Sequence, residues 1–324
     1  MNFGLRFDFR NPTLAGTSMA ERYAAALDMA EWADQLGCSS IGVSEHHGSA
    51  DGYLPSPMIM LAAMAARTST TRFSIAALIA PFHDPLRVAE DLCVLDNISN
   101  GRVDVIVAGG YTREEFAMFD VPMKERPKRV TEMVNTLRAA FSGEPFEYRG
   151  RTVHVTPPPI RPGGPAIIMG GSSEGAARRA ARLGLGFVPT MPDVWQYYRD
   201  EMSKLGNPDP GPGMGGGTGS LVALATDPEK GWEQMAPFFL HETNAYGAWQ
   251  AQDNSNAPYR TVADVDALRA TGQYKVLTPD ELIAELKERP VAYAGFHPLC
   301  GGIPPEMAWE SLRLFETEVL PSFP

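Results

Sequence analysis

Short runs of apolar and β-branched residues alternate with longer stretches whose apolar positions recur at helical spacing, from one end of the chain to the other. Residues 3–9 read as a first strand. A helix follows over 19–36, with Ala26, Leu27, Ala30, Ala33 and Leu36 at helical intervals and Gly37 as its stop. Residues 39–44 and 73–80 read as the second and third strands, separated by a helix over 57–67 that Pro57 opens. The third strand, Phe73-Ser-Ile-Ala-Ala-Leu-Ile-Ala80, is almost continuously apolar, as in a strand covered on both faces. Pro85 opens a helix over 85–98, and the Asn100-Gly101 turn leads into a fourth strand over 103–108.

The pattern continues with a helix over 126–141, a hairpin over 146–155 around Gly150, a strand over 165–169 and a helix over 173–183. Further strands fall near 185–190, 219–225 and 291–296. Helices fall near 193–204, 228–246, 278–288 and 305–318. About eight β-then-α units predict an α/β protein with a parallel sheet closed into a (β/α)8 TIM barrel. An open doubly wound sheet is the structural alternative. The 324 residues suit one barrel domain over 1–324 with insertions. Two stretches break the repeat. Residues 206–219, rich in Gly and Pro, read as a flexible connection. Residues 248–275 carry Trp249 and Tyr259 without a core period and read as an insertion at the mouth, either a lid or a disordered segment.

Composition narrows the partners. With 28 basic and 39 acidic residues the net charge is −11, which repels polyphosphate backbones and argues against nucleic acid. Three widely spaced cysteines, Cys38, Cys93 and Cys300, give neither a disulfide framework nor a zinc site and are expected to be buried in a reduced compartment. No run approaches the roughly 20 apolar residues of a membrane span. The chain enters its first strand without a signal-like segment, so a cytoplasmic protein is expected.

In a barrel of this kind the chemistry lies at the C-terminal ends of the strands. Strand two is followed by Glu45-His46-His47-Gly48. Adjacent histidines point apart, so one at most faces a substrate; the alternative is a loop whose histidines bond to backbone. No third ligand at suitable spacing is evident, so no metal is expected. Strand five is followed by Gly170-Gly171-Ser172-Ser173 and a helix. Bare backbone and free N–H groups there attract an anion, although Ser173 can equally serve as a helix cap. Gly109-Gly110 after strand four offers a second glycine-lined opening, and two such openings suggest a phosphate-bearing cofactor. Arg178-Arg179, on the body of the helix, read as a solvated face. No Gly-x-Gly-x-x-Gly follows a strand and opens a helix, so no dinucleotide fingerprint is present.

With these residues in place, the chain resembles the luciferase-like monooxygenase family. The most specific stretch is Ala76-Ala-Leu-Ile-Ala-Pro-Phe-His-Asp-Pro-Leu-Arg-Val-Ala-Glu90, continuing through Leu95-Asp-Asn-Ile-Ser-Asn-Gly-Arg-Val103. The resemblance implies a barrel that binds a flavin, or its deazaflavin analogue, at the mouth. It makes His46 the catalytic base, places a non-proline cis peptide at Ala76-Ala77 beneath the flavin ring, and puts the phosphate on Ser172 and Ser173. Arg126, or Arg129 if the alignment slips, would neutralise that phosphate. Gly109 stands where luciferase has an arginine and Ala108 where it has a reactive cysteine, so aldehyde-specific light emission is not implied. Asp96 and Arg102 are expected to form a buried ion pair. A homodimer resembles the family habit.

The leading expectation is a two-component monooxygenase that receives reduced FMN from a separate flavin reductase and uses dioxygen on a small organic substrate. The alternatives are a reductase or dehydrogenase dependent on the deazaflavin coenzyme F-420, and a barrel that binds flavin without catalysis.

Overall fold

Nine parallel strands form the core of the computed structural model, which describes residues 1–211, 221–252 and 258–323. In chain order the elements are β1 (Asn2–Phe7), α1 (Met19–Gln35), β2 (Ser40–Val43), α2 (Pro57–Ala66), β3 (Arg72–Ile79), α3 (Pro85–Ser99) and β4 (Val103–Ala108). There follow α4 (Arg113–Met118), α5 (Arg126–Ala140), the hairpin β5 (Phe146–Tyr148) and β6 (Arg151–Val153), then β7 (Ala166–Gly171), α6 (Glu174–Arg182), β8 (Gly186–Pro189) and α7 (Val194–Lys204). The chain ends with β9 (Leu221–Leu224), α8 (Pro228–Ala251), α9 (Val265–Ala270), β10 (Tyr274–Leu277), α10 (Pro279–Lys287), β11 (Tyr293–Phe296) and α11 (Pro305–Leu314).

The sheet order is β10-β9-β11-β1-β2-β3-β4-β7-β8. The last strand of the chain pairs with the first, Asn2 opposite Tyr293 through Leu5 opposite Phe296. A barrel imposes that relationship, whereas an open doubly wound sheet leaves its last strand at an edge. The fold is therefore of the (β/α) barrel class, with one strand more than the eight expected. The additional strand is β10, inside the stretch read as a coreless insertion. Of residues 248–275, the first four extend α8, and the remainder of the described part contains α9 and the start of β10. The Gly/Pro-rich connection of 206–219 lies largely outside the described residues.

Alternation within the strands explains how one sheet makes both a core and a cavity. Ile41, Val43, Phe73, Ile75, Val103, Val105 and Val107 are fully buried against the surrounding helices. Their neighbours Ser40, Gly42, Ser74, Ala76 and Ala108 line an interior space. Barrel interiors are usually filled by bulky branched side chains, and here small ones leave room. Strand three is thus not packed on both faces, as its composition suggests; its Ser74–Ala76 face opens on the cavity.

Prolines and caps place the helices. Pro57 and Pro85 begin α2 and α3, and the Asp84 carboxylate accepts from the backbone N–H groups of Leu86 and Arg87. Asn100 ends α3 in the left-handed conformation, at φ 54°. The expected Asp96–Arg102 pair does not form. Arg102 donates instead to the carbonyls of Ala65, Thr68, Thr71 and Ser99, satisfying orphan acceptors at the ends of α2 and α3. Asp96 accepts from the backbone N–H of Arg161, whose guanidinium lies 3.8 Å away. All three cysteines are buried and free. No helix among the described residues is long and apolar enough to cross a membrane.

Candidate active site

A cavity of about 900 Å³ opens at the C-terminal ends of the strands, at the upper end of the roughly 300–1,000 Å³ range of small-molecule sites. Its lining includes His46, Ala76, Ala77, Gly109, Gly110, Arg126, Gly170, Gly171, Ser172 and Ser173, so every expected site residue converges on one space.

One end gathers bare backbone, hydroxyls and a cation. The β7 strand closes on Gly170-Gly171, and Ser173 caps α6 by accepting from the Ala176 N–H at 3.3 Å. A Cβ on Gly171 would come within 2.5 Å of the Ala176 Cβ, so only glycine lets the strand meet the helix this closely. Arg178 and Arg179 part company. Arg178 pairs with Glu174 and Glu201 on the outside, whereas Arg179 lines the cavity, contrary to the solvated face expected from sequence. Burial, then the proximity of Arg182, lowers the Arg179 pKa. Thr190 also lines this end, and its buried hydroxyl has no hydrogen-bond partner among the described residues. Arg126 borders the same space and ties its guanidinium to the carbonyls of Met123 and Gly110. Arg129 is held by Glu125 and is not part of the lining.

The middle of the cavity has a methyl surface. The Ala76-Ala77 peptide is cis, as the family resemblance implies, and the β3–β4 register shifts between Ala76 and Leu78. Ala76, Ala77 and Ala108 all face the space.

The other end carries the titratable groups. His46 Nδ1 lies 2.6 Å from Glu115 Oε1, on α4, and the same oxygen accepts from the His47 backbone N–H at 2.9 Å. With Nδ1 so engaged, Nε2 is the nitrogen presented to the cavity, 3.4 Å from the Tyr111 hydroxyl. The imidazole stacks on Trp249 with centroids 4.4 Å apart. His47 turns away and meets Glu45 Oε1 at 2.7 Å, which also bonds His83 Nε2 at 2.6 Å. The sequence spacing offered no third ligand beside Glu45 and His47, but the fold supplies His83 from the loop after β3. These three already satisfy one another, and Glu45 Oε2 also accepts from the Ile79 N–H. Burial opposes the charge on Glu45, yet the His47 and His83 bonds prevail and hold its pKa down at about 2.

Behind His46 lies a wall of tyrosines. Tyr53, Tyr111, Tyr246, Tyr259 and Tyr293 all line the cavity. The Tyr53 and Tyr246 hydroxyls are 2.7 Å apart, and Arg6 Nη2 donates to Tyr246 at 2.9 Å. Burial opposes the charge on Arg6; Tyr246, Tyr259 and Glu242 outweigh it and keep the guanidinium protonated. Deeper still, Arg10 is fully buried, pairs with Asp51 at 2.5 Å, and stands 4.6–4.8 Å from the rings of Tyr53, Tyr246 and Trp249. Sequence reasoning missed Arg6, Glu115, Arg179 and Tyr246, because the topology alone brings them to His46 or to the anion end.

Comparison with known proteins matches the chain to a family. The family model described as luciferase-like monooxygenase matches residues 1–297. The alkanal monooxygenase beta chain of Vibrio harveyi is 27% identical over 195 residues, 58% of this chain and 59% of that one. Among solved structures, monooxygenase RslO1 from Streptomyces bottropensis covers 100% of both chains with a TM-score of 0.75 and 26% identity. The oxygenating constituent of 3,6-diketocamphane monooxygenase from Pseudomonas putida, solved in complex with FMN, shares the fold at a TM-score of 0.68 and 20% identity, over 99% of this chain and 98% of that one. The chain spans about half the length of the first curated relatives it matches.

Proposed function

The chain belongs to the luciferase-like monooxygenase family, and on that premise we propose that it is the oxygenating component of a two-component flavin-dependent monooxygenase. In this reading it takes reduced FMN from a separate reductase and uses dioxygen to oxygenate a small organic substrate.

The polarity of the cavity carries this reading. Backbone N–H groups, Ser172, Ser173, Thr190 and Arg179 stand at one end, His46 and its tyrosines at the other, and a floor of methyl groups lies between. The orphan Thr190 hydroxyl and the inward-facing Arg179 fit a phosphate ester. Ser172, Ser173, Arg126 and Arg179 would hold that group, and Ala76, Ala77 and Ala108 would bear the ring. When bound, the flavin supplies the chemistry with dioxygen. The chain's own residues do the rest. Glu115 orients His46 so that Nε2 accepts or delivers a proton at the cavity face. Trp249, Tyr246 and Tyr259 exclude water around it, and the lid expected over 248–275 narrows to the described residues around Trp249 and Tyr259. In the homodimer we envisage, the exposed Ile59, Val94 and Ile98 of the adjoining α2 and α3 face a second copy. Ile59→Glu should then shift the protein to monomer on sedimentation.

Anaerobic titration with reduced FMN and with reduced F-420, followed by admission of oxygen, tests the reading. It expects selective FMN binding and substrate-dependent oxygen uptake. Selective F-420 binding without oxygen uptake would overturn it in favour of hydride transfer.

A further inference from the structure

Arg6 is a cation of the cavity lining, and it stands among three tyrosines of that wall, Tyr53, Tyr246 and Tyr259. It projects from β1, and its side chain keeps 22% of its surface open. Among the described hydrogen bonds only Nη2 is engaged, to Tyr246 at 2.9 Å and Glu242 at 3.4 Å. Tyr259 also bonds the guanidinium, but the five N–H donors of its planar fork outnumber these three neighbours, so donors are left to pair with a ligand. Glu242 has partners besides Arg6. Its other oxygen accepts from the Tyr274 hydroxyl at 2.9 Å and from Cys300 Sγ at 2.6 Å, and His297 Nδ1 lies 3.5 Å from the first. With donors to spare, Arg6 can meet an anion while it keeps its bond to Glu242.

The surroundings select shape as well as charge. Tyr246 and Tyr259 are stacked on each other with centroids 4.7 Å apart, and both border the cavity, so an aromatic surface stands beside the cation. Flat conjugated rings gain from offset stacking on such a face, whereas a flexible alkyl chain loses rotamer freedom without that gain. The anion site of α6 lies on the strands β7 and β8, away from β1, so Arg6 forms a second pole distinct from the one assigned to phosphate.

We propose that the organic substrate is a planar conjugated ring compound bearing an ionised oxygen, carboxylate or enolate, held by Arg6 against the Tyr246–Tyr259 face. This rests on the flavoenzyme reading for the reaction that follows, but binding can be tested apart from it. Calorimetric titration of the whole protein, with and without oxidised FMN, would compare 2-naphthoate, the neutral 2-naphthamide and decanoate. The expected order is naphthoate first, by about tenfold over naphthamide, the scale of one hydrogen bond to a charged group. Arg6→Met should abolish that preference, and Arg6→Lys should retain part of it. Equal affinity for naphthoate and naphthamide in the wild-type protein, tighter binding of decanoate, or binding of neither naphthalene at millimolar concentration would each overturn the proposal, whether or not Arg6→Met folds. A naphthoate preference in a protein that fails to bind FMN would sink the flavoenzyme reading alone. FMN binding with no such preference would sink this one alone.

Discussion

Glu115 Oε1 lies 2.6 Å from His46 Nδ1, so a carboxylate from a six-residue helix decides which nitrogen of the imidazole faces the cavity. Removing it should leave the flavin contacts untouched and release the ring. Glu115→Ala is expected to lower turnover by roughly 10²-fold, the lower end of what a positioned acid–base group contributes. FMN affinity should stay at the wild-type value. Steady-state kinetics alongside a flavin titration check both halves, and unchanged turnover would remove Glu115 from the machinery.

Arg179 separates a phosphate pocket from a general flavin cleft. Arg179→Met should weaken FMN binding by roughly 10-fold or more, as loss of a charge-assisted bond would, and leave riboflavin binding as it was. Parallel fluorescence titrations with the two ligands read this directly. Equal losses for both would mean that Arg179 shapes the cleft and does not contact phosphate.

Gly42 faces the cavity, and a Cβ built there finds no atom closer than about 4.0 Å, the nearest being the carbonyl oxygens of Leu5 and Ser74. Its backbone is ordinary strand, so a larger side chain is tolerated by the fold and fills the space. Gly42→Leu should unfold at the wild-type temperature or above it while losing ligand binding, a separation of stability from function that thermal melting and titration together would reveal. A drop in stability with binding intact would contradict the cavity's position.

Glu45 links acid stability to the site. Its pKa is depressed to about 2 in the folded protein, against roughly 4.3 when unfolded. A depressed carboxylate stabilises the fold above its unfolded value, and that contribution is lost as pH falls from about 4.3 toward about 2. Glu45→Gln should therefore cost about 2 kcal/mol near neutrality, the scale of a hydrogen bond to a charged group, and flatten the acid limb between those values. Melting temperatures from pH 7 to pH 2 would show the two curves converging; parallel curves would refute the assignment.

The framework was largely legible in the chain because its signals are local. Pro57, Pro85 and Asn100-Gly101 mark element ends through their own backbone preferences, and β2, β3 and β4 carry the β-branched runs of a buried sheet. β10 was missed because four residues, Tyr274–Leu277, follow a polar stretch and have no period of their own. The candidate site divides in the same way. His46 and the glycine-serine loop follow strands directly, so the rule for barrel mouths finds them. Arg6 and Tyr246 are 240 residues apart, and Glu115 is 69 from His46, and no spacing rule reaches that far. Asp96 and Arg102 show the converse. Their place in the family signature suggested a buried pair, yet each is used where helix ends and a distant loop need a partner.

The pairing of β1 with β11 also sets a timetable. During synthesis β1 can meet β2 almost at once, but its other edge waits for a partner about 290 residues downstream. At translation rates of about 5–20 residues per second that wait is roughly 15–60 s, during which an apolar strand edge is available to other chains. The Arg22 side chain, whose guanidinium bonds the carbonyls of Leu299, Gly302 and Ile303, is without those acceptors for the same interval. Until its last strand emerges the newborn chain presents an edge of the kind that chaperones shield, and a ribosome that stalls after β10 holds a product with Arg6 in place and an open edge beside it.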